Sequence, residues 1–494
     1  MKFQSTRDQN AAKFSAAQVI KQGLATDGGL FVPEEIPALS EQEVMSLCKM
    51  DYPARAAEIL GKFLTDYTKE ELLADCKDAY APSSFVGGAA PLHALNNTLE
   101  IMELWHGPTA AFKDMALQIM PRLLSRALQK TGEERTALIL VATSGDTGKA
   151  ALEGYKDIDR IQMMVFYPVD GVSTVQKLQM QTQTGNNVNV TAIKGNFDDA
   201  QTGVKRIFSS EEVARKLNEK GYFLSSANSI NWGRLAPQIV YYVSAYCDLL
   251  NKGTIKYGDK INVTVPTGNF GNIFAAYLAK LMGLPIDKLI CASNKNNILT
   301  DFLKTGTYDR NRDFYLTMSP SMDILISSNL ERLLYFMAGP ARTAAYMKDL
   351  NEKGVYTVDE EIKNAIAESF IGFFADEQMT AATIKNTMEQ YGYLIDTHTA
   401  VAVCAAEQYV KESGDQKPMV VASTASPYKF AFDVYTSLYQ QEPASSLAAL
   451  DELEAKTGTE IPYPLRGIGE RLVRFTDVVD ATDMERAMFD YVAK

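Results

Sequence analysis

Three stretches of this chain hold residue types able to do chemistry. In Glu103-Leu104-Trp105-His106-Gly107-Pro108-Thr109-Ala110-Ala111-Phe112-Lys113-Asp114, one lysine follows a Gly-Pro turn. It precedes apolar residues at helical spacing: Met115, Leu117, Ile119, Met120, Leu123, Leu124 and Leu128. A lysine amine is ordinarily a solvated cation. At a helix start the macrodipole is positive and disfavours the charged form, and the neutral amine is the form that attacks a carbonyl. Lys113 is therefore the candidate nucleophile. The second stretch, Gly268-Asn269-Phe270-Gly271-Asn272, lies between an apolar strand pattern and a helix start, where backbone amides converge on an anion. A plain turn using glycine for positive φ accounts for it equally well. The third, Thr143-Ser144-Gly145-Asp146-Thr147-Gly148-Lys149, resembles a Walker A loop but fails twice. Thr143 holds the first glycine position, and Ala150 replaces the magnesium-binding hydroxyl. Its hydroxyls and glycines still suit a carboxylate or phosphate, with a capped polar turn as the alternative.

The elements that must position these stretches alternate between strand and helix. Ala137 to Ala142 is an apolar run of strand length, then a helix begins at about Lys149, and Ile161 to Phe166 is the next strand. Val188 to Ile193, a helix from about Asp199, and Tyr222 to Ser225 continue the pattern. A second sheet is expected to begin with Ile261 to Val265, followed by the helix Ile273 to Met282 and the strand Leu289 to Ala292, with a late strand Met419 to Ser423 ending at Thr424. Apolar strands of this kind form parallel sheets covered on both faces, with ligands at their carboxyl ends. Residues 1–85 read as helices and turns. The expected division is a mostly helical N-terminal domain over 1–85, a smaller α/β domain over 86–235 carrying Lys113 and the Ser144-Gly145-Asp146-Thr147-Gly148 loop, and a large α/β domain over 236–494 carrying the Gly268 loop. The charged helical stretch from about 340 to 390 is not assigned to a layer by pattern alone.

At 494 residues the chain exceeds one ordinary core. Its net charge of −12 argues against nucleic acid as an obligatory partner. Cys48, Cys76, Cys247, Cys291 and Cys404 are scattered and odd in number, as expected of reduced thiols in a cytoplasmic protein. The three histidines, His93, His106 and His398, form no metal-ligand spacing, so no metal is expected. No apolar run is long enough to span a bilayer. One lysine at a helix start, two anion-friendly loops and no nucleotide or metal motif together describe a site for a phosphorylated carbonyl cofactor held by a lysine. Pyridoxal phosphate meets those requirements.

These residues resemble the threonine synthase family within the fold type II class of pyridoxal-phosphate enzymes. The resemblance runs along nearly the whole chain, through Ser5-Thr6-Arg7, Asp27-Gly28-Gly29-Leu30-Phe31-Val32-Pro33, the lysine block, the Thr143 to Gly148 loop, Asn228-Ser229-Ile230-Asn231-Trp232 with Arg234, Gly268 to Asn272, and Asp396-Thr397-His398-Thr399-Ala400. It implies two open, mostly parallel sheets flanked by helices plus a mostly helical N-terminal domain. It makes Lys113 the Schiff-base lysine, gives Gly268, Asn269, Phe270, Gly271 and Asn272 the cofactor phosphate, and brings Thr424 to the pyridine nitrogen and Asp146 near the cofactor. Ser144, Gly145 and Thr147 are expected to hold the substrate carboxylate, and Asn231, Arg234 and Lys149 its phosphate, with a helix-surface charge as the plainer reading of Lys149. His106 either orients the lysine loop or the substrate, or is structural, and His398 reads as structural. The implied reaction converts O-phospho-L-homoserine and water to L-threonine and phosphate. A serine or threonine dehydratase, a non-catalytic binder of a phosphorylated ligand and a nucleotide-binding regulator are the competing readings. Monomer and dimer are both open.

Overall fold

The computed structural model describes residues 1–10, 12–143, 145–170 and 172–493. Its first part is a set of short, well-capped helices. Ser15, Ser40 and Thr68 each accept the amide three residues on while a glutamine or glutamate at that position reaches back, closing capping boxes ahead of Ala16–Gln22, Glu41–Leu47 and Lys69–Ala79. Asp51 caps Tyr52–Phe63, with proline in the first turn where its missing amide costs nothing. Phe3–Ser5 pairs antiparallel with Phe31–Pro33 and ties the chain start to this layer.

Two sheets follow. The five-stranded one runs, from edge to edge, Val478–Asp480, Val188–Lys194, Ile161–Pro168, Thr136–Ala142, Tyr222–Ser225, and every pairing is parallel. The six-stranded one runs Phe370–Phe374, Ile286–Ser293, Ile261–Pro266, Met419–Ser423, Leu99–Glu103, Leu92–Ala94, parallel except at the last pair. The near-continuous apolar strands are buried on both faces by helices, as the pattern required.

Sheet membership does not follow the expected divisions of the chain. The six-stranded sheet does not begin at Ile261, because Leu99–Glu103 lies alongside Met419–Ser423 in register Leu99 with Met419 through Glu103 with Ser423. Val478–Asp480 in turn returns to the five-stranded sheet beside Val188–Lys194. Pairing over such separations leaves no local trace in sequence. The charged stretch after 340 is integral, since it supplies the edge strand Phe370–Phe374 and the helices on either side of it.

The chain start is also anchored to the core of the molecule. Thr6 Oγ1 donates to Glu331 Oε1 at 2.5 Å, and Arg7 forks onto the same carboxylate at 2.8 and 2.7 Å. The neighbouring Arg332 is fully buried, donating to Phe31 O, Ile230 O and Asn329. Glu331→Ala leaves a half-exposed arginine and a buried hydroxyl without their acceptor. The expected loss is about 2–3 kcal/mol, read as a lower denaturant midpoint at unchanged slope.

Candidate active site

Four strand ends meet at the site, and each contributes one loop. Leu99–Glu103 leads to the lysine stretch, Met419–Ser423 to Thr424, Ile261–Pro266 to Gly268, and Thr136–Ala142 to Asp146. The lysine stretch is bonded to its neighbour strand end: Leu104 N–H donates to Ser423 O at 3.0 Å, Phe112 N–H to Thr424 O at 2.8 Å, and Ser426 N–H to Ala110 O at 3.1 Å. This fixes the backbone that carries Lys113.

Lys113 precedes Asp114–Leu117, a helix of only four residues, with Met120–Lys130 following. So short a helix has little dipole, which corrects the electrostatic reason expected from sequence. Burial holds the Lys113 pKa below the usual lysine value; Asp146 opposes this, and Lys429 and Arg234 add to it. Lys113 Nζ lies 3.3 Å from Asp146 Oδ2 and 3.4 Å from Ser321 Oγ, both long contacts.

Asp146 gathers the site. Its Oδ2 also accepts Ser321 Oγ at 3.1 Å; its Oδ1 accepts Gln176 Nε2 at 2.8 Å and faces Lys429 Nζ at 3.0 Å. Burial alone would raise its pKa, but Lys429, Lys113 and the Gln176 amide hold it well below the usual carboxylate range. Ser321 is braced from behind: its N–H donates to His398 Nε2 at 3.1 Å, and His398 Nδ1 lies 2.8 Å from Asp396 Oδ2. An accepting Nε2 and an Nδ1–H on the aspartate define a neutral imidazole with a single tautomer.

The Gly268 loop approaches this group from the six-stranded sheet. A Cβ at Gly268 would sit 2.9 Å from Ser321 O, so only glycine lets the two segments pass this closely. Phe270 takes a left-handed conformation, φ 62°, and caps Gly271–Leu281; a non-glycine residue there costs roughly 1–2 kcal/mol. The first amides of that helix have no intrahelical acceptors and so are available to an anion. Asn329 holds Asn269 O with its own N–H at 3.0 Å and its Nδ2 at 3.1 Å. Asn272 accepts two phenolic hydroxyls, Tyr241 at 2.6 Å and Tyr242 at 2.5 Å, through Oδ1, while its buried Nδ2 has no partner among the described residues. A free buried donor, helix-start amides without intrahelical acceptors and a glycine cradle fit the phosphate of a small cofactor.

The remaining expected residues divide. Arg234 is buried with a single side-chain hydrogen-bond partner among the described residues, Ala227 O at 2.9 Å, and burial lowers its pKa to about 10. It is close enough to Lys113 to repel its charge. Thr424 is buried at its strand end. Thr143 Oγ1 accepts the amides of Gly145 and Gly148, both at 3.0 Å, and Thr147 lies half-buried in the first turn of Asp146–Tyr155. Ser144 lies outside the described residues. Two residues, Asn231 and Lys149, are placed differently from expectation, and His106 takes one of its expected roles. Asn231 is committed at both ends, capping Gly233 N at 2.9 Å and donating to Ile20 O at 2.9 Å. Lys149 is neither a surface charge nor free for a phosphate: it is buried, paired with Glu153 Oε2 at 3.0 Å and bonded to Gln183. His106 bridges Glu103 Oε2 at 2.6 Å and Val86 O at 2.9 Å and stacks on Trp105, bracing the lysine stretch without reaching the amine.

Lys429, Gln176 and Ser321 were not expected. Only Lys429 had a local signal, an isolated lysine in Ser426-Pro427-Tyr428-Lys429-Phe430 just beyond a buried strand.

Asp114 locks the turn beneath Lys113, accepting Thr109 N at 2.8 Å and Thr109 Oγ1 at 2.8 Å. Burial pushes its carboxyl up to about 6, against those hydrogen bonds. The raised value means that the folded state holds the proton more tightly than the unfolded chain. The associated stability is present below about pH 4 and is lost as pH rises through about 6. Asp114→Asn is expected to remove this slope. The stability difference between variant and wild type should change by up to about 3 kcal/mol from pH 4 to pH 7, read by chemical denaturation across that range.

Among the described residues, no helix is long and apolar enough to cross a membrane. Three family models match the chain: "Threonine synthase N terminus" over residues 2–80, "Pyridoxal-phosphate dependent enzyme" over 87–425 and "Threonine synthase, C-terminal" over 399–485. A threonine synthase-like 1 protein of Pongo abelii is 42% identical over 445 residues, covering 87% of this chain and 59% of that protein. The chain thus spans only about three fifths of the length of such relatives. A threonine synthase of Pseudomonas aeruginosa is 38% identical over 473 residues, covering 94% of this chain and 96% of its own. The crystal structure of a PLP-bound threonine synthase from Brucella melitensis superposes over 100% of both chains with a TM-score of 0.89 at 36% identity.

Proposed function

The chain belongs to the threonine synthase family of pyridoxal-phosphate-dependent enzymes, and on that premise we propose that it converts O-phospho-L-homoserine and water to L-threonine and phosphate. The observation that carries the reading is a buried lysine of lowered pKa opposite a glycine-lined anion cradle, with a buried arginine nearby. Lys113 would hold pyridoxal phosphate by its aldehyde, and Gly268, Asn269, Phe270, Gly271 and Asn272 its phosphate. Thr424 would face the pyridine nitrogen, where a hydroxyl leaves that nitrogen largely unprotonated. When bound, the cofactor supplies an electron sink for carbanions at the substrate's Cα and Cβ.

The chain's own residues supply the rest. Lys113, released by the substrate amine, removes and returns protons at Cα and Cβ, a task for which a lysine of lowered pKa is suited. Asp146 and Ser321 hold that amine at the centre of the site between proton transfers. The Cγ–O bond breaks with its electron pair leaving on phosphate, water adds at Cβ, and the departing phosphate serves as the base for that water. Arg234 is the candidate for the substrate phosphate, since its guanidinium has donors to spare and no neutralising carboxylate among the described residues. Gly145 and Thr147 are the candidates for the substrate carboxylate. The setting proposed is the cytoplasm, in keeping with five buried free cysteines.

Supplying the purified protein with either O-phospho-L-homoserine or L-threonine tests the reading. Phosphate and threonine formed together from the first are expected. A ketoacid formed from the second, without phosphate release from the first, assigns the chain to the dehydratases instead.

A further inference from the structure

A second lysine lies in the site, and neither the sequence pattern nor the proposed reaction gives it a task. Lys429 follows the strand Met419–Ser423, in the short turn Pro427–Phe430. Its side chain is fully buried, and it donates to Thr109 O at 2.8 Å while facing Asp146 Oδ1 at 3.0 Å. Lys113 meets the other oxygen of the same carboxylate, at the longer distance of 3.3 Å. One aspartate thus stands between two lysines, one tightly held and one loosely held.

We propose that Lys429 is a positioning residue: a fixed cation that keeps Asp146 ionised and in place, so that Lys113 can give up its charge and move without leaving an unpaired buried carboxylate. The inference rests on the reading that Lys113 carries the cofactor.

Charge balance at Asp146 requires such a cation. A carboxylate out of water needs a partner, and losing its only cation would cost several kcal/mol or force it to take up a proton. Lys113 is a poor permanent partner, because attack on a carbonyl needs its neutral amine and each proton it gives to substrate removes its positive charge. Lys429 does neither. Its ammonium is spent on a backbone carbonyl and on Asp146, and Gln176 Nε2 completes the same oxygen at 2.8 Å. The charged groups close to Lys429 are Asp146, Asp114, Lys113 and Lys149, and Lys149 is already paired with Glu153. Asp114 is bonded to Thr109 N and Oγ1, whereas Asp146 meets the Lys429 ammonium directly at 3.0 Å, so Asp146 is the carboxylate that Lys429 holds. The second consequence is repulsion. A permanent cation across Asp146 disfavours a positive charge on Lys113, which keeps that amine available.

Replacing Lys429 by methionine keeps its length and removes the charge, whereas arginine keeps the charge. The test is the pH titration of the visible band of the loaded enzyme, which reports protonation at Lys113 Nζ. The Lys429→Met midpoint is expected to move up by about one pH unit or more, and the Lys429→Arg midpoint to stay within about half a unit of wild type. A folded Lys429→Met protein with an unmoved midpoint overturns the inference, because a purely structural lysine would change thermal stability alone. Should Lys429→Met fail to fold, nitrogen-labelled lysine NMR of the unsubstituted holoenzyme decides the matter. Lys429 must remain protonated through the range over which Lys113 titrates, and its titration first would overturn the inference. Borohydride reduction followed by peptide mass spectrometry separates the two readings. Cofactor found on Lys113 with an unmoved midpoint removes only the role of Lys429; cofactor found on Lys429 removes the assignment of Lys113 and this inference with it.

Discussion

Lys113→Ala is expected to lose the visible absorption of the bound cofactor and at least about a thousandfold in phosphate release, while the protein stays folded. The two halves of this result have separate causes. On the proposed reading, activity falls because the amine would be both the attachment point and the base. Lys429, the other buried lysine of the site, is fastened to Thr109 O and Asp146 on the far oxygen. Stability is preserved because Lys113 contributes little to it: its contacts at 3.3 and 3.4 Å are weak and its burial is unfavourable. Truncation also leaves no orphan, since Asp146 keeps Lys429, Gln176 and Ser321. Absorption spectra, phosphate assays and thermal midpoints on the same preparation check all three parts. A variant that retains the band would place the cofactor elsewhere.

Gly154→Ala, which adds one methyl group, is expected to lower stability by about 3 kcal/mol or more and to impair cofactor retention. The added Cβ would stand 1.8 Å from Leu117 O and 2.7 Å from Leu117 C, a backbone collision that no rotamer relieves. The helix Asp146–Tyr155 carries Asp146 at its start and Gly154 near its end; Leu117 ends the short helix that begins beside Lys113. Pushing the two apart by the ångström or more that the methyl needs would part Lys113 from Asp146 as well. Urea midpoints measure the first effect, and the pH profile of the visible band the second. A Gly154→Ala protein as stable as wild type would show that these helices slide freely, contrary to the tight packing described.

What could be read from the sequence was what is local. Apolar runs of strand length marked the strands Thr136–Ala142, Ile261–Pro266 and Met419–Ser423. Because ligands collect at strand carboxyl ends, the loops after them are where a site is expected. Residues whose meaning depends on distant partners were not legible. Leu99–Glu103 looks like any short strand, and nothing in its composition says that Met419–Ser423 lies beside it. Lys149 shows why a charge on a helix is ambiguous. Glu153 one turn on fits a solvated pair just as well, and only the packing that brings Gln183 against it makes it buried. Asn231 carried the polar signature of a ligand residue but is spent as a helix cap. Ser321 and His398 act through a hydrogen bond across 77 positions, which no spacing rule covers.

The central claim, that this chain eliminates phosphate from O-phospho-L-homoserine and rehydrates the product at Cβ, is tested most directly by running the reaction in water labelled with heavy oxygen. Breaking Cγ–O and adding water at Cβ must place the label in the threonine hydroxyl and leave the released phosphate unlabelled. Labelled phosphate with unlabelled homoserine would mean attack at phosphorus, and would contradict the account.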